Sequence, residues 1–166
     1  MEEEGSLGTE LRASVEGVST ADARSGVALG AHSYFVPVGH TRAARANLGE
    51  TAILAPELAC VIDDDVEAAR AEARDYAALY LGLRNYTSNL LNHGFSEQDI
   101  AGGGSDRLID AIIPHGDAGE IASAAREHLT AGADHVCLPT VGAGRIPRSE
   151  WTALASALGI GQVHGT

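Results

Sequence analysis

The clearest local pattern in the chain lies at residues 120–138, which read EIASAAREHLTAGADHVCL. One face of a helix is indicated by residues that recur at i, i+3, i+4, i+7 and i+8: Ile121, Ala124, Ala125, His128 and Leu129. Asp117 and Glu120 match a capping box in front of this helix, and Gly132 is placed to end it. A short apolar run follows directly, so the pattern predicts a helix and then a buried strand, as in α/β proteins.

Three short apolar runs are expected to form strands: His32–Val36, Leu58–Ile62 and Val136–Leu138. Pro37 and Pro139 are expected to end the first and the third. Because helical patterns separate the runs, we expect parallel pairing through right-handed crossovers. Each run is almost continuously apolar, which is typical of strands that are covered on both faces.

The segments between and after these strands carry helix signals. Their expected helices are Arg42–Leu48 capped by Thr41, a helix from near Val66 to Leu81, Asn85–His93, a helix from Ser105 to about Ile113, and a last helix that starts near Pro147. Asp63, Asp64 and Asp65 precede the second of these helices, and helix capping is favoured there over a metal site. In the last helix, Trp151, Leu154, Ala155 and Leu158 are expected to face inward.

Composition limits the possible functions. The 166 residues are enough for one domain, and 11 basic against 23 acidic residues give a formal charge of −12. This charge argues against nucleic-acid and membrane-surface partners. Cys60 and Cys137 are not spaced as a CxxC pair, which favours a reducing compartment, and the acidic start at Met1–Glu4 does not resemble a secretion signal. We therefore expect a cytoplasmic protein.

Motifs for metal or nucleophilic chemistry are weak. The seven histidines show no HxxxH or HxH spacing, so no zinc site is predicted. The glycines at 102–104 are expected to form a flexible joint, because no strand precedes them and no Gly-Lys-Ser/Thr follows. Neither cysteine has a basic neighbour that would activate it. No catalytic residue is assigned from the sequence.

Several short sequence segments, taken in their order along the chain, resemble those of a known family. They are Gly30–Pro37, Leu54–Asp63, Asn85-Tyr86 with Asn89–Leu91 before Gly94-Phe95, and Ala131–Leu138. This set resembles the C-terminal part of the luciferase-like oxidoreductases, in particular the actinobacterial branch that uses the deazaflavin coenzyme F420.

The resemblance implies a fold. The chain is expected to be α/β and to form part of a (β/α)8 TIM barrel: the last three βα units with a helical insertion at Gly82–Gly116, truncated at the N-terminus. The three strands would match barrel strands six, seven and eight. Residues 1–29 are expected to be a poorly ordered leader, 30–160 the barrel portion and 161–166 a tail.

The resemblance also implies a function, which is hydride transfer between F420, or alternatively FMN, and a small organic substrate. His32 and Tyr34 would contact the cofactor, and Asn85, Tyr86 and Asn89 the substrate. A structural histidine packed on Tyr34, and capping or packing roles for the three insertion residues, are the alternatives. Because most of the barrel is missing from the match, we expect an inactive isolated chain. The other hypotheses are a non-catalytic fragment that docks with itself or a paralogue through open sheet edges, and a chain without a stable fold of its own.

Overall fold

The computed structural model describes residues 30–142 and 144–160; the predicted leader and tail lie outside these residues. The elements in chain order are β1 (Gly30–Ala31), α1 (Val38–Leu48), β2 (Ile53–Leu54), β3 (Val61–Ile62), α2 (Val66–Leu81), α3 (Arg84–Asn92), α4 (Glu97–Ile100), a 3₁₀ turn (Ala101–Gly103), α5 (Asp106–Ile112), β4 (His115–Gly116), α6 (Ala118–Thr130) and α7 (Arg148–Leu158). The described part is a mixed α/β fold that is rich in helix, has a few short parallel strands, and forms no closed barrel.

Residues 53–62 form the central extended segment of the sheet. On one side, the amides of Ala55 and Glu57 donate to the carbonyls of residues 31 and 33, and β1 pairs with β2 in parallel. On the other side, the amides of Leu58 and Cys60 donate to the carbonyls of residues 137 and 139. The predicted parallel arrangement with adjacent strands is therefore confirmed, with residues 53–62 in the middle.

The predicted strand limits need correction. Gly30, two residues before the predicted start at His32, is already paired, and Phe35 has a φ of 52° that ends the extended conformation before Val36. Val136–Leu138 is no regular strand, since it makes an isolated bridge at Cys137.

Pro139 does not end the pairing on that side of the sheet. Its carbonyl accepts from Cys60 at 3.0 Å, and a second parallel bridge follows at Thr140. Proline lacks a backbone N–H donor but keeps its carbonyl acceptor. It can therefore lie in an extended segment wherever the neighbouring strand needs no donor from it. The sequence pattern also missed β4, a two-residue strand that pairs in parallel with β3.

The start of α2 agrees with the prediction. The Asp65 side chain accepts hydrogen bonds from the amides of residues 67 and 68, both at 3.1 Å, and so caps the helix. Ala69, Ala73 and Ala77 recur every four residues on one face of the helix and are fully buried. Val66, three residues before Ala69 on the same face, is exposed because it lies in the first turn, beyond the packed part of the helix.

Other helices are confirmed nearly at their predicted limits. Helix α3 lies within one residue of the expected Asn85–His93, and Ser105 caps α5 through the amide of Leu108. The capping box of Asp117 and Glu120 is present at the start of α6. These signals act within one helical turn, which explains why they can be recognised in the sequence.

Three predictions about helix faces and caps were wrong. Helix α1 begins directly after Pro37, so Thr41 lies inside it and does not cap it. Leu129 on α6 is 42% exposed, and Trp151 on α7 is 48% exposed, whereas Leu154 is buried. Both exposed residues lie at the edge of an apolar stripe, where the neighbouring element decides burial.

The side chain of Arg45 on α1 binds four residues from three parts of the chain. Its guanidinium donates to the carbonyls of Gly132 at 2.8 Å, Gly49 at 2.5 Å and Ala52 at 2.8 Å. It also pairs with the Asp134 carboxylate at 2.5 Å. One planar group thus fixes the end of α1, the start of β2 and the turn after α6.

Asp134 and Gly132 complete this junction. Asp134 Oδ2 also accepts from the amide of Leu54 at 2.8 Å, and that bond, followed by the pairing with Arg45, lowers the pKa of Asp134. Gly132 has a φ of 107°, and a Cβ there would lie 2.6 Å from Arg45 Cγ. Any side chain at this position would therefore be strained and would displace Arg45.

We expect Arg45→Lys to lower the free energy of unfolding by about 1–3 kcal/mol, because a single ammonium group cannot reach the spread-out acceptors and leaves carbonyls without donors. Urea denaturation of both proteins measures the change. Arg42→Lys, at an exposed position of the same helix, is the matched control and should stay within about 0.5 kcal/mol of the parent. Equal effects of the two substitutions would contradict the role given to Arg45.

Candidate functional site

The candidate site begins where the chain leaves β1. The rings of His32 and Tyr34 meet edge to face, with their centroids 4.5 Å apart and an angle of 71° between the planes. His32 Nδ1 donates to the carbonyl of Ala55 in the neighbouring extended segment. The backbone then turns at Phe35, which directs this short segment away from the sheet and towards α2 and α3.

An aromatic cluster with one carboxylate lies beside this pair. The hydroxyl of Tyr76 donates to Glu57 Oε1 at 2.8 Å and lies 3.0 Å from the hydroxyl of Tyr80. Phe35 stacks on Tyr80 at 4.8 Å, and Tyr86 meets the Tyr80 ring edge-on at 4.9 Å. The cluster joins the central segment of the sheet to α2 and α3, since each of these elements supplies a ring or the acid.

Burial and the Glu57 charge raise the pKa of three phenols, Tyr34, Tyr76 and Tyr86, and so keep them protonated. Burial raises the pKa of Tyr34 and of Tyr86, and the nearby Glu57 carboxylate contributes in both cases. The pKa of Tyr76 is also raised, first by burial and then by its hydrogen bonds to Tyr80 and Glu57. The Tyr76 hydroxyl already donates to Glu57, so at neutral pH it is the hydroxyls of Tyr34 and Tyr86 that can donate to an oxygen atom of a bound molecule.

A cavity of about 190 Å³, here called the α1–α3 cavity, lies next to His32. Its lining residues are Ala31, His32, Ser33, His40, Ala43, Ala44, Asn47, Leu54, Asn89 and His93. The rings of His40 and His93 are 5.4 Å apart. Burial lowers the pKa of His40 to about 4, with further contributions from His93 and His128, and burial also lowers the pKa of His93.

The structure brings together four of the five residues that the sequence assigned to a site. His32 and Tyr34 are in contact, and Asn89 lines the same cavity as His32. Tyr86 belongs to the aromatic cluster, and it lies so close to Tyr34 that Tyr34 contributes to the raised pKa of Tyr86. Asn85 is exposed on α3. The cofactor and substrate roles of these residues stay predictions.

Sequence reasoning missed Glu57, Tyr76 and Tyr80. Glu57 is the only charged residue in the apolar run 54–62, and an acid in such a run is a signal for a polar partner across the fold. Tyr76 and Tyr80 are spaced i, i+4, which places both on one face of α2. The missing information was that α2 crosses the sheet at Glu57.

The described residues also bear on metal binding and on membrane crossing. Within 30–142 and 144–160, no group of three or more His, Cys, Asp or Glu residues is arranged to hold a metal ion. None of the described helices combines the length and the apolar character that crossing a membrane requires.

Comparison with known proteins gives a limited result. No protein-family model matches the chain, and no curated protein matches it significantly. Among solved structures, the chain is similar to an F420-dependent secondary alcohol dehydrogenase in complex with an F420-acetone adduct, with 13% identity and a TM-score of 0.49. The match covers 75% of this chain and 41% of that chain, so this chain spans less than half the length of the similar protein.

We expect the protein to lose stability as the pH falls from about 6.5 towards 4. Burial lowers the pKa of His128 to about 4, as for His40, whereas an unfolded histidine titrates near 6.5. Their stabilising contribution is therefore complete above pH 6.5 and is lost on acidification, because the unfolded chain takes up protons first. Each proton that the unfolded chain binds in excess of the folded chain lowers the free energy of unfolding by about 1.4 kcal/mol for every unit that the pH falls.

Urea denaturation at several pH values between 7.5 and 5 measures this slope. His128 is 1% exposed and shares a 2.8 Å hydrogen bond with Thr41, so His128→Gln should reduce the slope. The control substitution His135→Gln, at an exposed position, should leave the slope unchanged. A slope that is the same in all three proteins would show that the buried imidazole does not carry the effect.

Proposed function

We propose that the chain belongs to an oxidoreductase of the luciferase-like class, in which hydride passes between coenzyme F420 and a small organic substrate. FMN is the alternative cofactor. In this proposal residues 30–160 are the last three βα units of a barrel, and α3–α5 belong to its helical insertion. The ordered sequence phrases support the family, and the grouping of predicted site residues supports the position of the site.

The single observation that carries the proposal is the proximity of Tyr34, which packs on His32, to Glu57, Tyr80 and Tyr86. Residues predicted separately for cofactor and substrate lie on adjoining surfaces, although 55 positions separate Tyr34 from Asn89 in the sequence. Three-dimensional proximity of this kind is what a shared binding site requires.

The residues present fit one side of a flat, conjugated ring system. The His32–Tyr34 pair offers aromatic surface, and the protonated Tyr34 hydroxyl offers a donor to a ring carbonyl. A bound deazaflavin would supply the hydride-carrying centre. The chain's own contribution is to orient the ring and to exclude water from one side of it.

Glu57, hydrogen-bonded to Tyr76, is a group that can accept a proton from a substrate. Glu57 Oε1 already accepts the Tyr76 hydroxyl, so its carboxylate is fixed in orientation, and Tyr80 extends the network by one further hydroxyl. A substrate oxygen within reach of these groups would exchange its proton with the Glu57 carboxylate rather than with bulk water.

The described residues form one wall of such a site. Holding the cofactor on both ring faces and at its phosphate requires further backbone and side-chain contacts. We therefore expect the purified chain to bind F420 or FMN more weakly than 1 μM, which corresponds to about −8 kcal/mol, and to turn over no substrate.

Fluorescence titration with F420 and with FMN tests the site. Tyr34→Phe removes one donor and His32→Ala removes the packed imidazole, and each should weaken cofactor binding several-fold. His135→Ala, at an exposed position, is the control. Binding that is insensitive to both site variants would contradict the proposed wall, and a monomer that binds either cofactor at micromolar affinity would contradict the need for further contacts.

A second candidate function is a non-catalytic unit that docks with itself or with a paralogue. Ile146 and Trp151 are 62% and 48% exposed at the start of α7, and exposed apolar side chains of this size favour association. In this case, the sequence segments that resemble the luciferase-like family would serve packing rather than chemistry.

Multi-angle light scattering over a range of concentrations measures association. We expect particles larger than one 17.1 kDa chain and a smaller average mass for Trp151→Gln. Leu79→Gln, which removes an exposed apolar side chain from α2, is the matched control. A monodisperse monomer throughout would rule out docking between copies of this chain.

A further inference from the structure

Two residues that line the α1–α3 cavity, Ser33 and His40, carry buried polar atoms that have no partner. Ser33 is only 6% exposed, and its Oγ makes no hydrogen bond within the described residues. The same holds for Nδ1 of His40. Buried polar atoms without a partner are rare in folded proteins, since the loss of hydration is then not compensated. Because Ser33 and His40 both line the cavity, a molecule inside it is their natural partner.

The cavity has an apolar wall as well as a polar one. Ala31, Ala44 and Leu54 pack together and form the apolar wall, with Leu54 fully buried. Ser33 and Asn89 belong to the polar wall. A liquid water molecule occupies about 30 Å³, so a space of about 190 Å³ accepts a molecule of several non-hydrogen atoms.

The lining favours an uncharged ligand. None of the described residues that line the cavity is Asp, Glu, Lys or Arg. At neutral pH the imidazole of His40 is neutral, because its pKa is about 4, and the pKa of His93 is lowered as well. A neutral imidazole offers both a donor and an acceptor, and hydroxyl and amide groups do the same. An ion in this space would lack a counter-charge, which is costly away from water.

We propose that the α1–α3 cavity binds a small uncharged molecule that carries both a hydrogen-bond donor and an acceptor, as a primary amide does. Such a molecule supplies partners for Ser33 Oγ and His40 Nδ1 and places its apolar part against Ala44 and Leu54. The proposal does not depend on hydride transfer, since it follows from the cavity alone and would hold in a chain without redox activity.

Three probes of the same planar shape test the charge argument: acetamide, acetate and acetamidinium. They are titrated at pH 7.5 into the isotopically labelled full chain, and the backbone amide signals of Ser33, His40 and Asn89 are followed by NMR. We expect saturable shifts with acetamide and none with the two ions. Equal binding of either ion would overturn the charge argument. An absence of saturable shifts with all three probes would show that the cavity holds water only.

Two pairs of variants test the location. Ala43→Leu adds a side chain at the cavity wall and should weaken acetamide binding at least tenfold, whereas Ala46→Leu on the same helix does not face the cavity and should leave it unchanged. Ser33→Ala removes an atom that has no partner, so it should weaken binding several-fold without lowering the urea midpoint. Ser123→Ala, exposed on α6, is its control. Acetamide binding that is unaffected by both Ala43→Leu and Ser33→Ala would place the ligand elsewhere.

Discussion

The ion pair between Arg45 and Asp134 is the interaction on which the arrangement of the described residues depends. Through it α1, β2 and the turn after α6 are held at one point, and Asp134 in turn fixes the amide of Leu54. Leu54 belongs to the central segment of the sheet and also to the wall of the α1–α3 cavity. The position of the cavity therefore depends on a junction whose charged groups lie outside it.

Two different chemical environments lie side by side in this fold. Around Glu57, burial keeps tyrosine hydroxyls protonated next to a carboxylate, which creates a set of fixed donors with one acceptor. Around His40, burial keeps imidazoles uncharged, which creates a neutral polar space. His32 belongs to both, because its ring meets Tyr34 and its residue lines the cavity. A molecule that spans the two environments would meet donors at one end and an uncharged, partly apolar space at the other.

Local signals in the sequence predicted the helices, and tertiary contacts explain where prediction failed. The caps at Asp65 and Asp117 involve neighbours two or three residues away, so they were recognisable. The His32–Tyr34 contact is also local. In contrast, Glu57 and Tyr76 meet only because α2 crosses the sheet, and the exposure of Trp151 depends on where α7 lies against α6. Strand limits failed for the same reason, since Pro139 can accept a hydrogen bond that only the position of Cys60 reveals.

The order of the sheet segments has a consequence for synthesis of the chain. Helices α2 to α5 contact each other over short separations in sequence and can form early. The central segment, however, receives its second neighbour only from residues 137–141, about 80 positions further along. Until those residues leave the ribosome, the amides of Leu58 and Cys60 have no acceptor on that side. The nascent chain thus carries an open hydrogen-bonding edge for about half of its translation, and this interval is when a chaperone or another nascent chain can pair with it.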